Sequence, residues 1–175
     1  MLDRPLAPLP IDLIMSVTQA VYREARLLDE EDLDGWLAML CGDVTYRMEL
    51  KSRRFRADRS PPLPVGSGVI FNDDFACLKL RVDRLKSGFV WAEDPPNFIR
   101  RVVSNIDVGP TPIDNEAKVH SVIVMHRNRI DGLSRLLTAG RNDVWRKDES
   151  GWRLAAREIT LDHAVLPDSN LNAFF

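Results

Sequence analysis

Residues 116–165 read EAKVHSVIVMHRNRIDGLSRLLTAGRNDVWRKDESGWRLAAREITLDHAV. No helical period survives in this stretch. Glu116–Arg127, Leu133–Arg146 and Trp152–Val165 are instead runs rich in Val, Leu and Trp, separated by turn-forming residues at Asn128 to Gly132 and Asp148 to Gly151. They predict three successive antiparallel strands. A fourth, Ile99–Val108, precedes them across the turn Gly109-Pro110-Thr111-Pro112. The last run has a fault in its alternation, with Trp152, Leu154 and Ala156 on one face and Ile159 and Leu161 on the other. A bulge near Arg157-Glu158 would restore one buried face and bend the strand.

Toward the N-terminus the pattern changes. Ile11, Ile14, Val17, Val21, Ala25 and Leu28 recur at three- and four-residue spacing and predict an amphipathic helix. Asp29-Glu30-Glu31-Asp32-Leu33-Asp34 reads as the solvated, acidic entrance to a short apolar helix, Trp36 to Leu40. Asp43 to Leu50 alternates as a half-buried strand. Residues 51–68 read as a loop, with Lys51, Arg53, Arg54, Arg56 and Arg59 suited to an acidic partner surface or to solvent. Asn72 or Asp73 would cap a second long helix, with Phe75, Leu78, Val82 and Leu85 inward and Ser87-Gly88 at its end. Trp91-Ala92-Glu93-Asp94-Pro95-Pro96 reads as a rigid turn. Helices first and long strands after them make an α+β domain, a strongly bent, antiparallel-dominated mixed sheet wrapped on the N-terminal helices. The reading is one domain over 1–175, with an extended arm at 1–10 and a tail at 166–175.

Composition bounds the function. The chain has 175 residues and a net charge of −2, which argues against non-specific binding to nucleic acid or anionic membranes. Its longest apolar run, Trp36 to Cys41, cannot span a bilayer. Cys41 and Cys77 read as buried small hydrophobes, and a reducing cytoplasm is the simplest compartment. Two isolated Cys and three His supply neither a Rieske nor a four-thiolate site. His120 and His126 share one strand face, but six residues of strand span roughly 20 Å, so one ion cannot take both. Asp43 and Tyr46 fall on opposite faces, a poor acid–base pair, while Asp107 or Asp162 with a His stays open for a pocket enzyme. The tail ends in Phe174-Phe175, and large apolar groups at a chain end are buried against their own core or a neighbour.

Several motifs together resemble one family. They are Glu24-Ala25-Arg26-Leu27-Leu28-Asp29 with Trp36 to Leu40, the strand Asp43–Leu50, Asp73-Asp74 with Leu80-Arg81-Val82, and Trp91 to Pro96 followed by Arg100 and Val103-Ser104-Asn105. Gly151 to Arg157, Leu161-Asp162, Asn170-Leu171 and Phe174-Phe175 complete the set. The chain resembles the small, or β, subunit of bacterial aromatic-ring-hydroxylating dioxygenases over nearly its whole length. It departs where that family has Ser-Arg-Thr-Arg-His after the two prolines, since Asn97-Phe98-Ile99-Arg100-Arg101 stands here. The resemblance implies a cone-like fold similar to nuclear transport factor and scytalone dehydratase relatives. It implies a non-catalytic structural subunit, with no catalytic, metal or cofactor residue of its own, in an α3β3 hetero-hexamer. The partner α subunit would carry a Rieske [2Fe–2S] cluster and a mononuclear Fe(II), and a reductase, often with a ferredoxin, would bring electrons from NADH or NADPH. Aromatic compounds would leave as cis-dihydrodiols. Trp91, Glu93, Asp94, Pro95, Pro96, Arg100, Phe174 and Phe175 are the candidate interface or interface-supporting residues. A stand-alone cone-fold isomerase or dehydratase, or a small-ligand binding module, is the alternative.

Overall fold

The structure, a computed structural model, describes residues 9–50, 56–61, 68–88, 97–128, 132–163 and 171–175. The elements in chain order are α1 Ile11–Asp29, α2 Leu33–Ala38, β1 Leu40–Leu50, β2 Val69–Asp73, α3 Phe75–Lys86, β3 Phe98–Pro110, β4 Glu116–Asn128, β5 Ser134–Asp148 and β6 Gly151–Leu161. The strands form a mixed sheet in the order β2-β1-β6-β5-β4-β3. β1 and β6 run parallel and every other pair antiparallel. α1 packs against both β3, at one end of that order, and β6, three strands away, so the sheet curls around the helix. α3 lies over β1 and β2. The core gathers Val17, Val21 and Leu28 of α1, Trp36, Leu78 and Val82 of the other helices, the inward residues of β1 and β3–β6, and Phe174 and Phe175. Among the described residues no helix is long and apolar enough to cross a membrane.

Expectation and structure part at several elements. α2 stops at Ala38 and Leu40 already opens β1, so the apolar run after Trp36 is half helix, half strand. Asp32 caps α2 by accepting from the Gly35 N–H, as the acidic entrance predicts. β2 takes in both expected cap residues, Asn72 and Asp73, and is a strand the sequence pattern does not predict; five residues paired on one side only give too weak an alternation to detect. The α3 cap is therefore Asp74, one residue later than expected, accepting from Cys77 N. Cys77 is exposed, because the inward stripe passes through Leu78 beside it; Cys41 is buried as expected. Ile11 at the helix start is 68% exposed.

The bulge in β6 sits at Ala155, since Val144 pairs with Ala156 but Trp145 with Leu154. From there on Arg157 shares the inner face with Ile159 and Leu161. The expected position, Arg157-Glu158, followed from the apolar side chains alone, which change face between Ala156 and Ile159; here Arg157 itself points into the core. A second bulge in β3 leaves Asn105 at φ 51°, a left-handed conformation that Asn tolerates better than most residues. α1 ends in a Schellman motif, with the Asp32 N–H bonded to the Leu27 carbonyl and Glu31 at φ 59°. Glycine is the usual residue there, so Glu31→Gly is expected to stabilise the fold by about 0.5–1 kcal/mol. An unchanged or lower urea midpoint would contradict this.

Candidate functional site: a filled interior and an exposed strand face

The interior is built around one arginine. Arg157 is fully buried, and each of its five N–H groups has an acceptor. Nε and Nη2 donate to the two Asp143 carboxylate oxygens at 2.8 and 2.7 Å. Nη1 and Nη2 donate to Glu24 Oε1 and Oε2, both at 2.7 Å. The fifth goes from Nη1 to the Phe175 carbonyl. Burial alone pushes the guanidinium down, but the Asp143 and Glu24 charges outweigh it and hold it well above its ordinary value. Glu24 also accepts from Trp36 Nε1 at 3.2 Å. A second buried arginine, Arg141, donates to Ser121 Oγ at 3.1 Å and lies 3.7 Å from Glu24 Oε2. Burial, then the like charge of Arg157, lowers its pKa. Two carboxylates thus face two guanidiniums, and the cluster is close to neutral.

Tyr46 closes the cluster from β1. Its hydroxyl donates to the Phe175 carbonyl at 2.8 Å and accepts from the Phe175 N–H at 2.7 Å. Burial raises the phenol pKa above its ordinary 10.0, with Arg157 pulling the other way. The folded state therefore holds the phenol proton more tightly than the unfolded one. The resulting stability is intact below pH 10 and is lost as pH rises through the folded value. In an alkaline titration followed by tyrosinate absorbance, the Tyr46 share is expected to appear only with unfolding. Tyr46→Phe should flatten the fall in stability above pH 10; an unaltered slope would be the contrary result.

Three further side chains hold the chain end. Arg101, buried, donates through Nε and Nη2 to the Phe174 carbonyl at 3.0 and 2.9 Å and through Nη1 to Asp29 Oδ1 at 2.8 Å. Arg81 reaches the Ala173 carbonyl at 3.4 Å, pairs with Asp73, and lies between the Phe71 and Phe174 rings at 4.6 Å from each. The Phe174 ring packs on Trp36, centroids 4.2 Å apart. Of the two burials foreseen for Phe174 and Phe175, the chain's own core is the one found. Any support they give an interface is indirect. Asp29, read as solvated, in fact has its carboxylate buried between Arg101 and Arg100.

The outer face of the sheet is different. Phe98, Val102 and Leu136 are 70%, 56% and 57% exposed, and Leu133 is exposed beside them. Their register places Arg100 in their midst, opposite His126 and through it Leu136. The Arg100 guanidinium is exposed and touches Asp29 at 3.3 Å. Trp91, Glu93, Asp94, Pro95 and Pro96, the other predicted interface residues, lie outside the described residues, immediately before this strand. So do Lys51, Arg53 and Arg54 of the basic loop; Arg56 and Arg59 are exposed. His120 and His126 lie on this outer face, hydrogen-bonded to Asn142 at 3.0 Å and Ser134 at 2.8 Å. His163 Nε2 accepts from the Thr138 N–H. Among the described residues no three His, Cys, Asp or Glu side chains come together as a metal site. Asp43 is exposed and paired with Arg146, apart from the buried Tyr46, as their alternation requires.

Fold and site together define a cone-fold protein whose interior is occupied by its own side chains and chain end, with an apolar strip turned outward. The fold is shared with a solved structure described as naphthalene 1,2-dioxygenase with indole bound in the active site. That match has a TM-score of 0.85 and 22% identity and covers 98% of this chain and 90% of that one. It is shared more distantly with a structure from Novosphingobium aromaticivorans DSM 12444 described as a scytalone dehydratase. There the TM-score is 0.64 and the identity 15%, over 89% and 90% of the two chains. Chlorobenzene dioxygenase subunit beta of Cupriavidus sp. (strain PS12) is 30% identical over 175 residues, 98% of this chain and 94% of the relative. Residues 23–168 match the family described as "Ring hydroxylating beta subunit", and the chain belongs to it. Membership favours the subunit reading over the stand-alone isomerase, dehydratase or binding module.

Proposed function

We propose that this chain is a single-domain, non-catalytic structural subunit that braces the catalytic α subunits of a cytoplasmic aromatic-ring-hydroxylating dioxygenase in an α3β3 assembly. The observation that carries the reading is the filled interior. The volume inside the sheet is taken by Trp36, Tyr46, Phe174, Phe175 and the neutralised Glu24–Arg157–Asp143–Arg141 cluster. A cavity of about 240 Å³ remains at the cone mouth between Leu28, Leu85 and Phe174. Of its charged lining, Arg101 is bound to Asp29 and Lys86 to Asp34. The outward strip around Arg100 is the surface offered to the companion, with Asp94, Pro95 and Pro96 leading into it. The companion would hold the Rieske cluster and mononuclear iron, which supply the oxygen chemistry, while reductase and ferredoxin act on it with electrons from NADH or NADPH. The substrate is chosen in the companion's pocket; relatives named for benzene and chlorobenzene enzymes favour an aromatic hydrocarbon or its halogenated form over an aromatic acid.

The test is co-expression with the catalytic subunit, followed by size exclusion and native mass spectrometry. The expected species contains equal numbers of both chains. Asp94→Ala and Arg100→Ala should each weaken it several-fold and steepen its loss with salt. Assembly that survives both changes untouched would remove these two residues from the interface. A chain that never joins the companion would end the reading.

A further inference from the structure

We propose that the cone interior is a binding site for an extended peptide ending in two aromatic residues, and that residues 173–175 occupy it as an exchangeable intramolecular ligand. The contacts are those of peptide recognition rather than of a sheet. The carbonyls of Ala173, Phe174 and Phe175 are received in succession by Arg81, Arg101 and Arg157, which stand on α3, β3 and β6. Tyr46 of β1 takes both the N–H and the carbonyl of Phe175. The described tail residues 171–175 lie outside the strands of the sheet. Main-chain bonds of this kind hold any extended segment, and side-chain slots then supply selectivity. Here the slot for Phe174 is explicit, with the indole of Trp36 on one side and the Arg81 guanidinium over the ring. The arginine donors on the receptor side are already paired with Glu24, Asp143, Asp29 and Asp73, so they meet the oxygens of residues 173–175 without standing as bare buried charges. Covalent attachment keeps the site full, because tethering makes binding intramolecular, at an effective concentration on the order of millimolar. The site stands whether or not the chain joins a catalytic companion.

The experiment cuts the tether in the folded, full-length chain. A site-specific protease sequence is inserted after Pro167, the chain is cleaved, and native mass spectrometry reads whether the C-terminal fragment stays bound. Isotope-labelled peptide Asn-Leu-Asn-Ala-Phe-Phe is then added in excess. The expected result is a folded, cleaved core that keeps one fragment and exchanges it for labelled peptide. The same peptide with both Phe replaced by Ala should not exchange. Tyr46→Phe in the cleaved chain should weaken binding about tenfold or more, since two hydrogen bonds go. In the intact chain, the Phe175 amide should exchange its hydrogen at least tenfold faster than central β4–β5 amides, through local release of the tail. A core that unfolds on cleavage, a fragment that no excess displaces, or a Phe175 amide that exchanges only with global unfolding would each overturn the proposal.

Discussion

Replacing Arg157 with alanine is expected to cost about 3–5 kcal/mol, a large part of the 5–15 kcal/mol that holds a domain of this kind together. The reason is not that the ion pairs are worth so much. Taking two carboxylates and a guanidinium out of water costs several kcal/mol per ion, and their attraction roughly returns it. The loss arises because removing the cation leaves the Glu24 and Asp143 carboxylates buried at zero to one per cent side-chain exposure, with the more distant Arg141 and, for Glu24, the neutral Trp36 Nε1 donor as poor replacements. Arg157→Lys keeps the charge but offers three donors in place of five, so neither carboxylate can be held bidentately. It should fall between wild type and alanine. Arg153→Ala is the control: its pair with Asp148 is solvent-exposed, and such pairs contribute about 0–1 kcal/mol. Urea titrations measure all three, with the midpoint moving at unchanged slope. A loss below about 1 kcal/mol for Arg157→Ala would mean that water or a rearranged Arg141 satisfies the carboxylates, and the cluster would lose its central place in the fold.

The long strands, the two long helices and the mixed bent sheet were legible because each carries its own period over ten or more residues. What was not legible has a common cause. Glu24 sits among the polar residues of α1, Asp29 in a run of acids, Arg101 and Arg157 among exposed-looking strand positions, and a periodicity argument sends every one of them to solvent. Only their mutual neutralisation permits burial, and that pairing joins residues 133 apart in the chain. The bulge in β6 was misplaced for the same reason. The signal that could have found the cluster lay in the resemblance itself. Glu24 and Asp29 fall in the first motif that carried it, Tyr46 in the second, Arg81 and Arg157 in later ones, and Phe174-Phe175 in the last. These residues marked a family because they build one interior, not because they do chemistry. Arg101 stands where the family usually has His, and here it grips both Asp29 and the Phe174 carbonyl.

Charging the outward strip tests the other half of the reading. Val102→Glu combined with Leu136→Glu is expected to reduce recovery of the catalytic companion at least tenfold while the free chain unfolds within about 0.5 kcal/mol of wild type. The two effects separate because both side chains are more than half exposed and lose little on folding, yet both would be desolvated in an assembly. A glutamate buried there without a partner costs several kcal/mol, and 1.4 kcal/mol is already tenfold in affinity. Phe98 and Val102 of β3 and Leu136 of β5 flank Arg100 and His126 in the register, with Leu133 just before β5. Contiguous apolar patches rimmed by charge mark contact surfaces. β3 also shields its open edge, the Arg101 N–H donating to Asp29 of α1, so pairing strand to strand is discouraged and a partner must come to the face instead. Size exclusion of co-expressed chains decides the matter. If the doubly charged variant still assembles in full, the companion docks elsewhere. If the companion stays bound while copies of this chain fall apart, the strip joins subunits of one kind, and the face assigned to the catalytic partner is wrong.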